Sequence, residues 1–181
     1  MGYRLKKTIV MVGMMGAGKT AIGAALARRL QVPFIDSDAE IELAANRSVA
    51  EIFERDGEEF FRNKETQVIE RLLQGQRSIL STGGGAFLAD RNRELIERLG
   101  VSVWLKADLE LLWQRVRHKD SRPLLRTPDP YGTLAALMVE REPIYAQATL
   151  SVQAAPDLSI PDMVKKVMGV LTQHPEILEV V

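Results

Sequence analysis

The run Gly13-Met14-Met15-Gly16-Ala17-Gly18-Lys19-Thr20 fits G-x-x-x-x-G-K-[ST], the spacing of a phosphate-binding loop. Its glycines let successive backbone N–H groups converge on an anion, and a helix starting near Gly18 brings its positive end to the same point. In that chemistry Lys19 reaches the outer phosphates and Thr20 offers a hydroxyl to Mg²⁺. Gly16, Ala17, Gly18, Lys19, Thr20 and Ala21 are the expected nucleotide contacts. A glycine-rich turn with a chance lysine is the bland alternative. The flanks argue against it: Thr8 to Val12 is an apolar run, and Ile22, Ala25, Leu26 and Leu30 follow at helical spacing.

Three further clusters could act on what such a loop binds. Asp36 and Asp38 flank Ser37 at the end of a short apolar run, and alternation along an extended segment would point both carboxylates to one side. One could help hold Mg²⁺ through water, and the other could accept a substrate hydroxyl or its proton. Capping of the next helix is the competing reading. Gly83-Gly84-Gly85 is costly to order, which a ligand lying close to the backbone would justify; a flexible turn is the alternative. Arg62 and Arg141 read singly as solvated helix charges. Together they suit a carboxylate, whose two oxygens match the guanidinium fork. Arg122, in a proline-rich loop, could stabilise a transferring phosphoryl group, although loop arginines are mostly solvated. Arg115 and Arg117 read as ordinary surface charges, His118 and His174 as surface or lid residues, and Phe53, Phe60 and Phe61 as core. Met14 and Met15 occupy tolerated variable positions of the loop and bring no catalytic chemistry of their own.

The elements that must position these groups alternate in type. Strands are predicted at 8–12, 32–36, 78–81, 101–105 and 149–152, and helices at 18–30, 37–45, 48–73, 90–99, 108–117, 131–146 and 160–173. Ser48 and Glu51 form a capping box, Asp108 is a candidate cap, and Pro143 should disturb the last turn of its helix. This pattern predicts an α/β fold whose parallel sheet is covered on both faces. Ligands then sit beyond the carboxyl ends of the strands, where the phosphate loop, Asp36-Ser37-Asp38 and the triple glycine all fall. The 181 residues suit one domain, and 24 basic against 24 acidic residues favour neither nucleic acid nor an anionic membrane. With no cysteine, thiolate catalysis and Cys-based zinc are excluded, which fits a reducing cytosol. No apolar run approaches a membrane span, and no signal peptide is read at the N-terminus.

From about residue 8 to 152 the ordered motifs resemble the shikimate kinase family, small P-loop kinases like those acting on nucleoside monophosphates. The matching features are the loop at 13–20, Asp36-x-Asp38, Glu59-Phe60-Phe61-Arg62-x-x-Glu65, Gly83-Gly84-Gly85-Ala86, Arg122-Pro123-Leu124-Leu125 and Arg141-x-x-x-Tyr145. The resemblance implies a three-layer α/β/α fold with a five-stranded parallel sheet in the order 2-3-1-4-5. It implies transfer of the γ-phosphoryl of ATP to the 3-hydroxyl of shikimate, in aromatic amino-acid biosynthesis. Asp38 would bind the shikimate hydroxyls and act as base, with Arg62 and Arg141 on the carboxylate and the backbone at Gly83, Gly84 and Gly85 against the ring. Lys19 and Arg122 would touch the phosphates, Thr20 would ligate Mg²⁺, and Asp36 would lie in its outer shell. A substrate-binding subdomain at about 37–64 and a lid at about 116–130 are expected to close on ligands, within a cytoplasmic monomer. No adenine contact is assigned between Ala154 and Leu158. A gluconate kinase and a nucleotide-binding switch without turnover are the competing functions. The arginines fit gluconate too, but the Phe-Arg-x-x-Glu and triple-glycine pair favours shikimate, and a pure binder needs no acceptor-site acid.

Overall fold

Strand β2 (Thr8–Val12) is buried at every residue. Because successive side chains point to opposite faces, both faces of the sheet around it are covered. The computed structural model describes residues 2–118 and 125–181. Their elements are β1 (Tyr3–Leu5), β2, α1 (Lys19–Leu30), β3 (Phe34–Asp36), α2 (Ser37–Ala45), α3 (Val49–Gln74), β4 (Ile79–Ser81), a 3₁₀ turn (Ala86–Leu88), α4 (Asp90–Leu99), β5 (Gly100–Lys106), α5 (Leu109–Val116), α6 (Pro130–Tyr145), β6 (Leu150–Gln153), α7 (Ile160–Leu171) and β7 (Leu178–Val180).

Five strands form one parallel sheet in the order β3-β4-β2-β5-β6. Counted without β1 and β7, that is the order 2-3-1-4-5. The register pairs Val10 with Leu80 on one side and Ser102 on the other. Parallel neighbours need crossovers, which the helices supply. The main core runs from Ile9 and Met11 through Leu26, Ile79, Ile96, Leu105 and Val167. A second, small cluster of Ile41, Ile52, Phe61 and Val68 lies between α2 and α3.

Helix ends follow local chemistry. Asp36 accepts from the N–H groups of Asp38 and Ala39, so it caps α2. Ser48 Oγ accepts from Glu51 N at 3.1 Å and donates to Glu51 Oε1 at 3.0 Å, closing the start of α3 through the two side chains. Ser159 and Asp162 form the full reciprocal box on α7. α3 is broken at Gly57, whose φ of 87° leaves the helical region.

Three expectations need correction, and one strand pair was not predicted. Pro143 lies inside α6, which continues to Tyr145, and Ala146 N still bonds Glu142 O. Asp108 occupies the cap position of α5 without bonding its backbone through the side chain. Phe61 is core, but Phe53 and Phe60 are exposed. The unpredicted pair joins the two ends of the chain: β7 pairs antiparallel with β1, Leu5 opposite Leu178. That pair places Leu5, Ile177 and Leu178 on the main core.

Candidate active site

A cleft of about 880 Å³ opens at the carboxyl ends of β2, β3 and β4, the edge where α/β sheets bind ligands. On one wall is the loop between β2 and α1. Gly16 takes φ 83° and Gly18 takes φ 99°, a region that a side chain rarely tolerates. Crowding adds a second demand at Gly16, where a Cβ would lie 2.8 Å from Val116 Cγ1. Lys19 Nζ donates to the Gly13 carbonyl at 2.6 Å, folding the lysine back over its own loop. Arg115 Nη1 donates to the Gly16 carbonyl at 2.9 Å from the far side. The positive end of α1 and these two cations make the wall fit for polyphosphate.

The opposite wall is built around Asp38. It sits in the first turn of α2, not on an extended segment, so the predicted alternation does not operate. Asp36 is the cap that the competing reading foresaw, yet both carboxylates line the cleft. Asp38 Oδ1 is buried with no hydrogen-bond partner among the described residues. Burial is the main cause that raises its pKa above the ordinary carboxylate value; Asp36 pushes the same way and Lys19 opposes. An unpartnered buried carboxylate oxygen is expensive unless something arrives to bond it.

The triple glycine leaves room for two side chains. A Cβ at position 83 would lie 2.8 Å from Asp38 Oδ2, and one at 85 would lie 2.7 Å from Arg62 Nη2. Arg62 Nη1 is held by both oxygens of Glu65, at 3.1 and 3.3 Å. Glu65 is almost fully buried, and burial raises its pKa, against the pull of Arg62. Across the cleft Arg141 is buried on α6, with Nη1 3.1 Å from the Cβ place of Gly84. Tyr145, one turn on, donates to the Gly84 carbonyl at 2.7 Å. Burial raises the tyrosine's pKa, against the pull of Arg141.

Gly16, Gly18, Lys19, Thr20, Ala21, Asp36, Asp38, Arg62, Gly83, Gly84, Gly85 and Arg141 therefore share one cavity. Ala17 does not join them: it is buried beneath the loop, and its N–H donates to Met14 O. Arg122 and much of the expected lid lie outside the described residues. Reading Arg115 as a surface charge is corrected by its bond into the phosphate loop. Nothing in its local pattern signalled that, because the contact spans the sheet edge. Glu65 had a signal, the i, i+3 spacing from Arg62. Leu158, Ile160 and Met163 add an apolar patch to the cleft. For Mg²⁺, the Thr20 hydroxyl and the Asp36 and Asp38 carboxylates in the same cavity are the hard oxygen donors that ion prefers. No cluster of three or more His, Cys, Asp or Glu suited to a metal occurs among the described residues.

A family model described as shikimate kinase matches residues 15–172. The chain is 62% identical over 176 residues to the shikimate kinase of Cereibacter sphaeroides, covering 97% of this chain and 88% of that one. It is 63% identical over 175 residues to that of Ruegeria pomeroyi, covering 97% and 90%. Among solved structures it is similar to shikimate kinase from Acinetobacter baumannii in complex with shikimate, with TM-score 0.85, 36% identity and coverage of 92% and 93%. A gluconokinase from Sinorhizobium meliloti, at TM-score 0.61 and 20% identity over 94% of each chain, shares the fold alone.

Proposed function

Because this chain belongs to the shikimate kinase family, its activity is the ATP-dependent phosphorylation of shikimate, and we propose that the residues around the cleft divide that work as follows. The backbone N–H groups of Gly16, Gly18, Lys19, Thr20 and Ala21, with the Lys19 side chain, hold the β- and γ-phosphates. Arg122 closes over the transferring group. Arg62 and Arg141 take the shikimate carboxylate, and the backbone of Gly83, Gly84 and Gly85 lies against its ring. That leaves the 3-hydroxyl at Asp38.

The hydroxyl oxygen forms a bond to the γ-phosphorus as the bond to the β–γ bridging oxygen breaks, and the hydroxyl proton passes to Asp38. A carboxyl whose pKa is raised by burial is a better proton acceptor than an ordinary one. Phosphoryl transfer is loose in its transition state, so most of the acceleration is positioning and charge neutralisation. Thr20 would hold Mg²⁺ directly and Asp36 through water; the ion, when bound, offsets charge on the phosphate oxygens. Residues at about 37–64 form the acceptor subdomain and those at about 116–130 the lid. A monomer acting in the cytoplasm completes this reading; it is supported by a cleft whose described lining comes from one chain and by the biosynthetic reaction.

The observation that carries this assignment is the buried, unpartnered Oδ1 of Asp38 in the same cavity as Lys19, Arg62 and Arg141. A coupled ADP-release assay tests it. Turnover is expected with shikimate and not with gluconate. Comparable kcat/KM for gluconate would overturn the acceptor assignment, and turnover with neither would support a nucleotide binder.

A further inference from the structure

Asn92, in the first turn of α4, is fully buried although it carries a primary amide. Its partners come from two other elements, α3 and the 3₁₀ turn. Nδ2 donates to the Ala86 carbonyl at 2.9 Å and to Glu65 Oε1 at 3.4 Å, and Oδ1 accepts from Thr66 Oγ1 at 2.7 Å. A carbonyl and a carboxylate only accept, so this arrangement fixes which end of the amide faces which partner. Ala86 N in turn donates to Gly83 O at 3.1 Å, closing the glycine turn.

The amide therefore connects the two halves of the acceptor pocket. On one side Glu65 grips Arg62 Nη1 with both oxygens. On the other lies the glycine turn, whose missing side chain at position 85 makes room for Arg62 Nη2. Without Asn92, Glu65 would lose its contact with the Ala86 turn and keep only the guanidinium. Networks of this kind define a geometry more sharply than any of their bonds alone.

We infer that Asn92 is a positioning residue for the acceptor: it braces Glu65 against the Ala86 carbonyl and so sets where Arg62 presents its guanidinium to a carboxylate. The inference rests on the proposed role of Arg62. It differs from simple gluing of α3 to α4, which would act on stability or on both substrates alike.

Steady-state kinetics of the full chain separate these. In Asn92→Ala the KM for shikimate should rise about 5- to 20-fold, with the KM for ATP within about twofold and kcat within about threefold, the split expected when only acceptor binding is loosened. In an Arg62→Ala background the same change should add less than about twofold, because its effect runs through that arginine. An unmoved shikimate KM, an equal rise for both substrates, or a full effect without Arg62 overturns the role. If Asn92→Ala does not fold, Thr66→Val decides: it removes the donor to Oδ1 together with the same hydroxyl's longer contact, at 3.1 Å, with the Arg62 carbonyl, a backbone group inside α3; about a two- to fivefold rise in shikimate KM supports the role, and no change overturns it. Absence of wild-type turnover would sink the kinase assignment and this role with it. Wild-type turnover with an unmoved KM in the variant sinks this role alone.

Discussion

Asp38 is held where ionisation is disfavoured, and two outcomes follow. Its raised pKa means that the folded protein binds this proton more tightly than the unfolded chain does. The associated stability is full below the ordinary carboxylate value, near pH 3.9, and is lost as pH rises through the elevated one. Asp38→Asn should thus raise Tm at pH 7 in scanning calorimetry, with the gain closing in acid. It should also lower kcat by about 10²- to 10⁴-fold, the worth of a positioned proton acceptor, with ATP binding nearly intact. Near-normal kcat would remove Asp38 from the mechanism. Arg62→Ala should raise the KM for shikimate by about 30- to 100-fold and that for ATP by less than about threefold, from the loss of a charge-assisted fork. Since it also strands buried Glu65, Arg62→Lys is the companion variant: it keeps a charge beside Glu65 and loses the fork. Residue placement was legible in the sequence where spacing encodes it, as at Lys19 and Thr20, which line the cleft. It was illegible at Arg115, whose contact with Gly16 spans 99 residues of chain. Asp36 and Asp38 were found in the right place by the wrong geometry, because capping turns the chain into α2 sooner than alternation assumed.

Elements were legible where a boundary has its own side-chain signal. Ser48 predicted the start of α3, and its hydroxyl accepts from Glu51 N. Ser48→Ala should cost about 1 kcal/mol, which for a chain of this length lowers Tm by about 2–4 °C. Kinetic constants should stay within about twofold, since neither residue lines the cleft. Gly85→Ala tests an element boundary of the opposite kind. Its Cβ would meet the Arg62 guanidinium rather than strain the backbone, so the KM for shikimate should rise about tenfold or more while Tm changes little. A fall in Tm without a KM change would mean that the turn, not the arginine, needs the glycine. Pro143 misled because its missing N–H was weighed without the helix that carries it through to Tyr145. The strands β1 and β7 were missed because each is three residues long and makes sense only beside the other.

At the scale of the whole molecule, the chain's ends are fastened together by that pair, with Leu5, Ile177 and Leu178 buried against the main core. Deleting residues 177–181 removes two such side chains, worth about 2 kcal/mol each, and should lower Tm by about 10 °C. An unchanged Tm would show the pair to be ornamental. The sheet order was legible through motif resemblance, and the carboxyl-edge rule placed the cleft without coordinates. What no local pattern could reveal was the break at Gly57, where a Cβ would touch nothing and only the backbone angle demands glycine. Asp38 lies on α2, ahead of the break in the chain, and Arg62 on the part of α3 that follows it. On the proposed assignment, an acceptor grasped by both acts as a splint. Amide exchange around residues 55–59 should then slow when shikimate is added, and cargo recognition becomes the event that sets the broken limb.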